Sequence, residues 1–491
     1  MLSNKEITTL IFGLKIKYLR TSKNLSYQQL HEMTGIALSY IHDIEKGKKT
    51  PKPDKIFALA KALGVEYDDL VSLKANKRLR PMITLLRSDF IKIFPFDIFG
   101  LDVGKLMTLF FQTPDKVNAF VSTIIKMVRS HQMGLEYFYQ ASLRSYQDLY
   151  DNYFEDIEVS VREFKETFNV EKTSGFEPIF LESLLQKHYG IEVNKEKLSL
   201  HTKLNSIRSF FKKEKKVFYI NKTLSEAQQN FLLGRELAFQ YLQIKERPYE
   251  TRILKATTFE LLLNNFRASY FSAALLMDEI ELTNDVKAFL QLNTWQPEKL
   301  SSLLTKYKVT PEMLFQRFTN ILPKHLNINE VFFLRLKSES NLRTFQITKE
   351  LHLSQLHEPY ANQKDEKYCR RWVSIDVLKK HRLLKSAENM HFADAQISDY
   401  WQTPNAYLCL SIAQKEHEDS KERNSVTVGL MVNEELRKLV GFLRDPNLIT
   451  RTVNTTCERC SMPDCSERAA SPIVIEEAEQ IEGLLEALKE L

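Results

Sequence analysis

The chain has 491 residues, 43% of them hydrophobic and 27% charged, and a formal net charge of +6. That length exceeds what one core organises, so about three domains are expected, and the composition excludes a disordered or fibrous chain. No run of about 18 uncharged apolar residues occurs, so no membrane span is expected.

The first residues, MLSNKEITTLIFGLK, place Glu6 and Lys15 around a short apolar patch without a small-residue cleavage site, so no secretory leader is expected. Five cysteines, three of them clustered, point to a reducing, cytoplasmic setting rather than a disulfide framework. The charge is uneven. Residues 1–80 hold 15 Lys plus Arg against 8 Asp plus Glu, which leaves the other 411 residues close to neutral. A basic head on a neutral body points to a polyanion at that end.

Helical periodicity divides residues 1–72 into about five short helices. The first runs near 5–21, with Leu10, Ile11, Leu14 and Leu19 as core positions. In LSYQQLHEMTG, Ser26 is placed to cap a second helix, Leu30 and Met33 are expected to face inward, and Gly35 makes the turn. IALSYIHDIEKGKKTPKP gives a third helix closed by Gly47, and PDKIFALAKALGV and YDDLVSL complete the set.

This order resembles the Xre/phage-repressor helix-turn-helix family, on Leu25, Ser26, Leu30, Gly35, Ile36, Ile41, Ile44, Glu45, Gly47 and Pro51. The resemblance implies that the helix from about 37 to 46 enters the major groove of double-stranded DNA. Leu38, Ser39 and His42 would then reach base edges, flanked by Tyr40 and Lys46. Lys48, Lys49 and Lys52 would meet phosphates, which fix register rather than sequence. Where such domains often start helix two with a DNA-touching Gln, this chain has Tyr27, and Gln28 comes one later. Such domains usually bind as homodimers on paired half-sites.

Residues 81–175 read as a helical spacer and dimerisation region, rich in Phe, Tyr and Leu at helical spacing. QMGLEYFYQASLRSYQDLYDNYFEDIEVSVREFKETF is one or two amphipathic helices whose aromatic stripe suits a core or a dimer interface.

Near 176 the character changes. FEPIFLESLLQKHYGIEV gives a helix and a short strand, and KKVFYINKTLSEAQQNFLLGRELAFQYL gives a strand, a polar turn and a long helix. FRASYFSAALLMD is a further helix. Together they resemble the ImmA/IrrE metallopeptidases, in which the long helix carries H-E-x-x-H and the later one a ligand Glu. Here Arg235, Phe239 and Ala274 occupy the three ligand positions, and only Glu236, at the base position, survives. Zinc needs about three N, O or S donors, and Arg, Phe and Ala offer none. The domain at 176–325 is therefore expected to be a catalytically dead pseudo-peptidase.

In the region 326–491, EVFFLRLKSESNLRTFQITKEL, NAYLCLSIAQ and SVTVGLMVN alternate like antiparallel strands, and EELRKLVGFL reads as a helix. TTCERCSMPDCSERAASP then clusters Cys457, Cys460 and Cys465 in one loop, with Cys369 of KYCRRW as the candidate fourth ligand. Such a thiolate set suits an iron–sulfur cluster or zinc, which spacing alone does not separate. Cys409 reads as a buried hydrophobe. The last helix, IEEAEQIEGLLEALKEL, carries an apolar stripe at Ile481, Leu484, Leu485 and Leu488, expected to dock on the body or on a second subunit.

From about 176 to 475 the chain resembles the short-chain fatty-acyl transcriptional regulators, which include the propionate and acetate regulators of actinobacteria. The matching phrases are YFSAALLMD, FFLRLKSESNLRTFQIT, YCRRW, TVGLMVNEELRKLVGFL and TCERCSMPDCSERAA. The resemblance implies a dimeric regulator that answers to an acyl-CoA effector and, in some members, holds an iron–sulfur cluster. An acyl-CoA needs an apolar slot and cations for its phosphates. Phe239, Phe271 and Ala274 are candidates for the slot, Arg235, Arg370 and Arg371 for the phosphates, and Trp372 for stacking on adenine. The rival readings are a redox or metal sensor built on the cysteines and an ImmA-like peptidase. The expected fold is mainly α with an α+β C-terminal half: a helix-turn-helix head, a helical spacer, a degenerate zincin-like α+β domain and an antiparallel α+β domain.

Overall fold

The computed structural model describes residues 4–72, 98–100, 135–171, 174–204, 206–251, 258–338, 342–353, 366–384, 391–415 and 422–489. Much of the spacer, including all of 101–134, lies outside the described residues. The chain divides into two compact units, Met1–Leu143 with Lys255–Leu262, and Arg144–Leu254 with Leu263–Leu491.

The first unit opens with five helices: α1 (Asn4–Ser22), α2 (Tyr27–Thr34), α3 (Leu38–Glu45), α4 (Pro53–Leu63) and α5 (Tyr67–Val71). Their inward faces meet in one cluster of Phe12, Ile16, Leu30, Ile36, Ile41, Ile44, Ile56, Leu59, Leu63 and Leu70. The expected core residues Ile11 and Leu14 are buried, but Met33 is exposed, a correction to the sequence reading. Leu30 is fully buried and Tyr27 packs partly against the same cluster, while Met33 turns outward.

Local chemistry sets the turn between α2 and α3. Ser26 and Gln29 form a reciprocal capping box at the start of α2. Gly35, at φ +69°, ends it in the left-handed conformation that a side chain disfavours, and its N–H bonds His31 O. A buried bidentate pair, Arg20 to Glu45 at 2.6 and 2.9 Å, then ties α1 to α3. Gly13 lets these two helices touch: a Cβ there would lie 2.2 Å from the carbonyl oxygen of Ile44.

Two helices from the expected spacer follow, α6 (Leu135–Leu149) and α7 (Glu155–Thr167). The aromatic stripe here is core. Tyr146 stacks on Phe154, and Phe164 packs edge-on against Phe271. From Arg144 onward this segment is woven into the second unit. Glu158, fully inside, receives two hydrogen bonds from Arg317, at 2.5 and 3.0 Å, and one from Tyr270 at 2.8 Å. Asn320 donates to the Asn152 carbonyl, and Asn152 donates to Thr319. The seam expected at residue 175 is thus crossed by buried polar bonds that cannot be removed cheaply.

The next elements are α8 (Pro178–Leu184), running into a π-helical turn at Leu185–Tyr189, then β1 (Glu192–Asn194), β2 (Ser209–Lys212), β3 (Val217–Ile220) and α9 (Glu226–Tyr241). The strands form a small sheet in the order β1-β3-β2, with β1 parallel and β2 antiparallel to β3. Four helices follow: α10 (Phe259–Leu276), α11 (Glu279–Leu290), α12 (Pro297–Tyr307) and α13 (Pro311–Leu326).

Six strands make the large sheet: β4 (Val331–Ser338), β5 (Phe345–His352), β6 (His391–Tyr400), β7 (Ala406–Lys415), β8 (Arg423–Met431) and β9 (Ile449–Val453). Their order is β5-β4-β8-β7-β6-β9, antiparallel except for β6 with β9. Helix α14 (Val373–Leu383) packs across β6, β7 and β8. The segment EELRKLVGFL is helical only as α15 (Glu434–Leu439), after which a 3-10 turn spans Gly441–Arg444. Helix α16 (Ile473–Lys489) is the last. The architecture is a helical head, then helices, then an α+β region, as the patterning predicts.

Candidate functional site

The first candidate surface is the exposed edge of α3. Its apolar side, Ile41 and Ile44, is fully buried, which turns Leu38, Ser39 and His42 outward. Tyr40 is half-buried and covered by cations, with Lys55 Nζ 4.4 Å and Lys49 Nζ 5.4 Å from its ring centre. Lys49 also pairs with Asp43 at 2.9 Å, while Lys46, Lys48 and Lys52 are exposed on the same stretch. Gln28 is exposed on α2.

Tyr27 has a different task. Its hydroxyl donates to Glu45 at 2.8 Å, and its ring lies 4.0 Å under the Arg20 guanidinium. Burial, reinforced by the Glu45 bond, pushes the phenol up to about 12. Tyr27 therefore holds α3 in place from behind. The signal was available in the sequence as an Arg and a Glu at core-facing positions, but their pairing across 25 residues was not.

The second candidate is helix α9, which carries Arg235, Glu236 and Phe239. Arg235 is 7% exposed and Glu236 1% exposed, so both are inside. Adjacent residues point apart on a helix, and each charge finds its own partners. Glu236 is held by Arg247 through two bonds of 2.8 and 2.5 Å and accepts a third from Gln240. Arg235 donates to Asn265 at 2.5 Å and to Thr251 at 3.3 Å. Those partners are neutral, and burial, with Arg247 nearby, pulls its guanidinium down to about 10.

Phe239 fills the space between the two cations. Arg247 lies 3.8 Å and Arg235 5.8 Å from its ring centre. Phe271 and Ala274, on α10, are fully packed, with Phe271 against Phe164 and Tyr241. Sequence reasoning singled out Arg235, Glu236 and Phe239 but missed Arg247. It lies in the loop KERPYE, where nothing periodic marks it.

The third candidate is a small cavity beside the large sheet. Cys369, Cys457, Cys460 and Cys465 all line it, together with Arg370, Arg371 and Arg468. Backbone pairing brings the cysteines together: Cys369 N–H donates to Thr455 O and Cys457 N–H to Lys367 O. Arg468 reaches back to the carbonyls of Cys457, Cys460 and Met462. The Ala469 N–H points at Cys457 Sγ at 3.3 Å. Cys369 is buried, which pushes its thiol up to about 11. Cys409 sits apart within strand β7 and is also buried.

All-sulfur donors, an N–H directed at sulfur and flanking cations fit the chemistry of a thiolate-held metal. The four thiols share a lining rather than a closed coordination sphere: among the described residues no three His, Cys, Asp or Glu side chains form a metal-holding group.

Arg370 and Arg371 border this cavity, but much of their hydrogen bonding is local. Arg370 donates to Arg343 O and lies 4.5 Å over the Phe345 ring, and Arg371 contacts Met462 Sδ at 3.1 Å. Trp372 is buried, stacked on Tyr368, with its indole N–H on Asn454 O at 2.8 Å. It caps α14 instead of presenting a free face.

Residues 16–70 match the family model described as helix-turn-helix, and residues 186–319 match the IrrE N-terminal-like domain. A control protein of Bacillus amyloliquefaciens, C.BamHI, is 40% identical over 63 residues, which is 13% of this chain and 78% of that protein. An HTH-type transcriptional regulator of Bacillus subtilis, RghRB, is 40% identical over 71 residues, 14% of this chain and 51% of that protein. A solved Mycobacterium tuberculosis transcriptional regulator superposes with a TM-score of 0.48 at 16% identity, covering 68% of this chain and 94% of that one.

Through its head the chain belongs to the helix-turn-helix family of DNA-binding regulators. It is a transcriptional regulator of double-stranded DNA whose body carries an IrrE-like domain. Among the described residues no helix is long and apolar enough to cross a membrane.

Proposed function

We propose that the chain is a homodimeric regulator whose operator affinity is set by a short-chain acyl-CoA bound to the body, and that the IrrE-like domain has no peptidase activity. The observation that carries the second half is the Arg247 clamp on Glu236. A zincin-type Glu must accept a proton from metal-bound water. Here both of its oxygens are occupied by a permanent cation, and the neighbouring ligand positions hold Arg235, Phe239 and Ala274.

Support for the effector comes from the long phrases shared with the fatty-acyl regulators and from the arginines on the cysteine cavity. Arg370 lines that cavity, and its buried Nη1 has no hydrogen-bond partner among the described residues, which leaves one N–H for an anionic oxygen. An effector shifts DNA affinity only if it binds one of two conformations more tightly, and a tenfold shift needs about 1.4 kcal/mol of difference. Calorimetric titration of the full chain with propionyl-CoA and acetyl-CoA tests this. Saturable binding weakened by Arg370→Ala is expected, and an absence of heat with either thioester overturns the effector assignment.

The shared cavity of four cysteines favours a second reading, metal or redox sensing. Cys369, Cys457, Cys460 and Cys465 would hold zinc or an iron–sulfur cluster, which would supply either a structural clip or an electron-accepting centre. Metal analysis and an absorbance spectrum of anaerobically purified protein separate the two. Metal-free protein with normal DNA binding removes this reading.

A further inference from the structure

Helix α16 is joined to the body at its first turn, where Val474 N–H donates to Glu458 O, and is exposed beyond it. From Glu476 to Lys489 every residue is exposed, including Ile481, Leu484, Leu485 and Leu488, each more than half accessible. A lone helix of this length is marginal in water unless an apolar face is covered. At about 3.6 residues per turn, Ile473, Val474, Ala478, Ile481, Leu484, Leu485 and Leu488 fall on one face. Glu476, Glu479, Glu482 and Glu486 fall on the opposite face, with Gln480, Gly483 and Ala487 along one flank.

This distribution selects the occupant. A basic partner drawn by the glutamates would meet them on the side away from the leucines, so it could not use both faces without wrapping the helix. A second copy has no such conflict. Two α16 helices pack leucine face to leucine face and leave all eight of those glutamates in solvent. An antiparallel two-fold centred near Gly483 sets Ile481 opposite Leu485 and the small Ala478 opposite Leu488. It also sets Glu477, the acid within the stripe, opposite Lys489, the helix's single cation. Covering the exposed Leu and Ile side chains of both copies removes on the order of 1,000 Å² from water, about the lower bound for a specific protein–protein interface.

We infer that α16 is the self-association element of this regulator, pairing with α16 of a second copy as a two-helix antiparallel contact. The inference rests on the homodimer reading and names its interface. A helix-turn-helix head gains from that pairing because two heads are then available for two half-sites.

Analytical ultracentrifugation of the full chain tests it. Wild type is expected to sediment as a dimer, and Leu484→Glu/Leu488→Glu as a monomer with an unchanged circular dichroism spectrum of the body. Leu484→Ala/Leu488→Ala, which keeps helix propensity, should raise the dimer dissociation constant at least about 100-fold, and Glu479→Gln/Glu482→Gln should leave it unaltered. A dimer that survives both leucine variants overturns this interface while the homodimer reading stands. A wild-type monomer at micromolar concentration overturns both and leaves the stripe to the chain's own body or to another protein. Carbodiimide coupling that joins Glu477 of one copy to Lys489 of another supports the antiparallel register. Coupling confined to other acid–lysine pairs overturns that register.

Discussion

Arg247 grips Glu236 from a loop eleven residues further along the chain, using both terminal nitrogens, at 2.8 and 2.5 Å, while its plane lies on Phe239. Both side chains are nearly inaccessible, at 6% and 1%. Removing one partner leaves the other charge buried and unpaired, a loss of about 3–5 kcal/mol. Arg247→Met should therefore lower stability by that order in denaturant melts. Arg247→Met/Glu236→Gln should recover part of it, because no lone charge remains. Equal losses in the single and double variants would show that packing rather than the pair matters.

The same clamp predicts the outcome of restoring the ligand positions. Arg235→His/Phe239→His/Ala274→Glu should bring zinc affinity but no hydrolysis of unstructured peptides, because Glu236 stays engaged by Arg247. Peptide turnover by that triple variant, measured with a quenched fluorogenic library, would contradict the proposal that Arg247 keeps Glu236 from acting as a base.

In the head, Gly13 lies flush against α3. A methyl group there meets the Ile44 carbonyl at 2.2 Å, so Gly13→Ala must push the recognition helix away. Overpacking of this kind costs about 1–3 kcal/mol. The expected result is a lower melting temperature of the head and weaker operator binding, read by circular dichroism and by anisotropy of a labelled duplex.

Contacts to bases and to phosphates should separate by salt. Ser39→Ala and His42→Ala should relax sequence preference by about 1–3 kcal/mol per contacted base with little change in salt dependence. Lys46→Ala and Lys48→Ala should weaken binding to every duplex alike, each lowering the logarithmic salt slope by about one. A Lys48 variant with an unchanged slope would remove that residue from the phosphate set.

His391 provides a pH prediction. Burial, with His381 adding, pulls its imidazole down to about 4 from an ordinary value near 6.5. The folded chain then binds this proton less readily than the unfolded one. Stability from this group is complete above about pH 6.5 and falls as pH drops through 4. After allowance for its partial exposure, about 1–2 kcal/mol is at stake. His391→Gln should flatten the fall in stability between pH 6.5 and 4, as measured by urea titration.

The head was legible from residue spacing because each of its helices buries a stripe of its own and ends on a marked residue, Ser26 or Gly35. The site on α9 was legible as a frame, since H-E-x-x-H positions can be counted along one helix. Its actual content was not. Arg247, and likewise Arg317 beneath Glu158, act across tertiary distances that no local period encodes. Met33 misled for the opposite reason: it sits at a helical interval from the buried Leu30, yet its side chain is exposed. Strand β6, HFADAQISDY, escaped notice because its buried residues include Gln396 and Ser398, which bond to each other inside the sheet. The four cysteines share a lining because Tyr368 bridges Thr456, a pairing across the sheet edge that the sequence spacing does not announce.

The proposed coupling is that the IrrE-like body reports a metabolite to the DNA-binding head. Its most direct test is anisotropy of an operator-containing promoter duplex against full chain at fixed salt, with and without saturating propionyl-CoA. A change of at least about tenfold in dissociation constant, lost in Arg370→Ala, is expected. Identical binding curves with and without the thioester would contradict it.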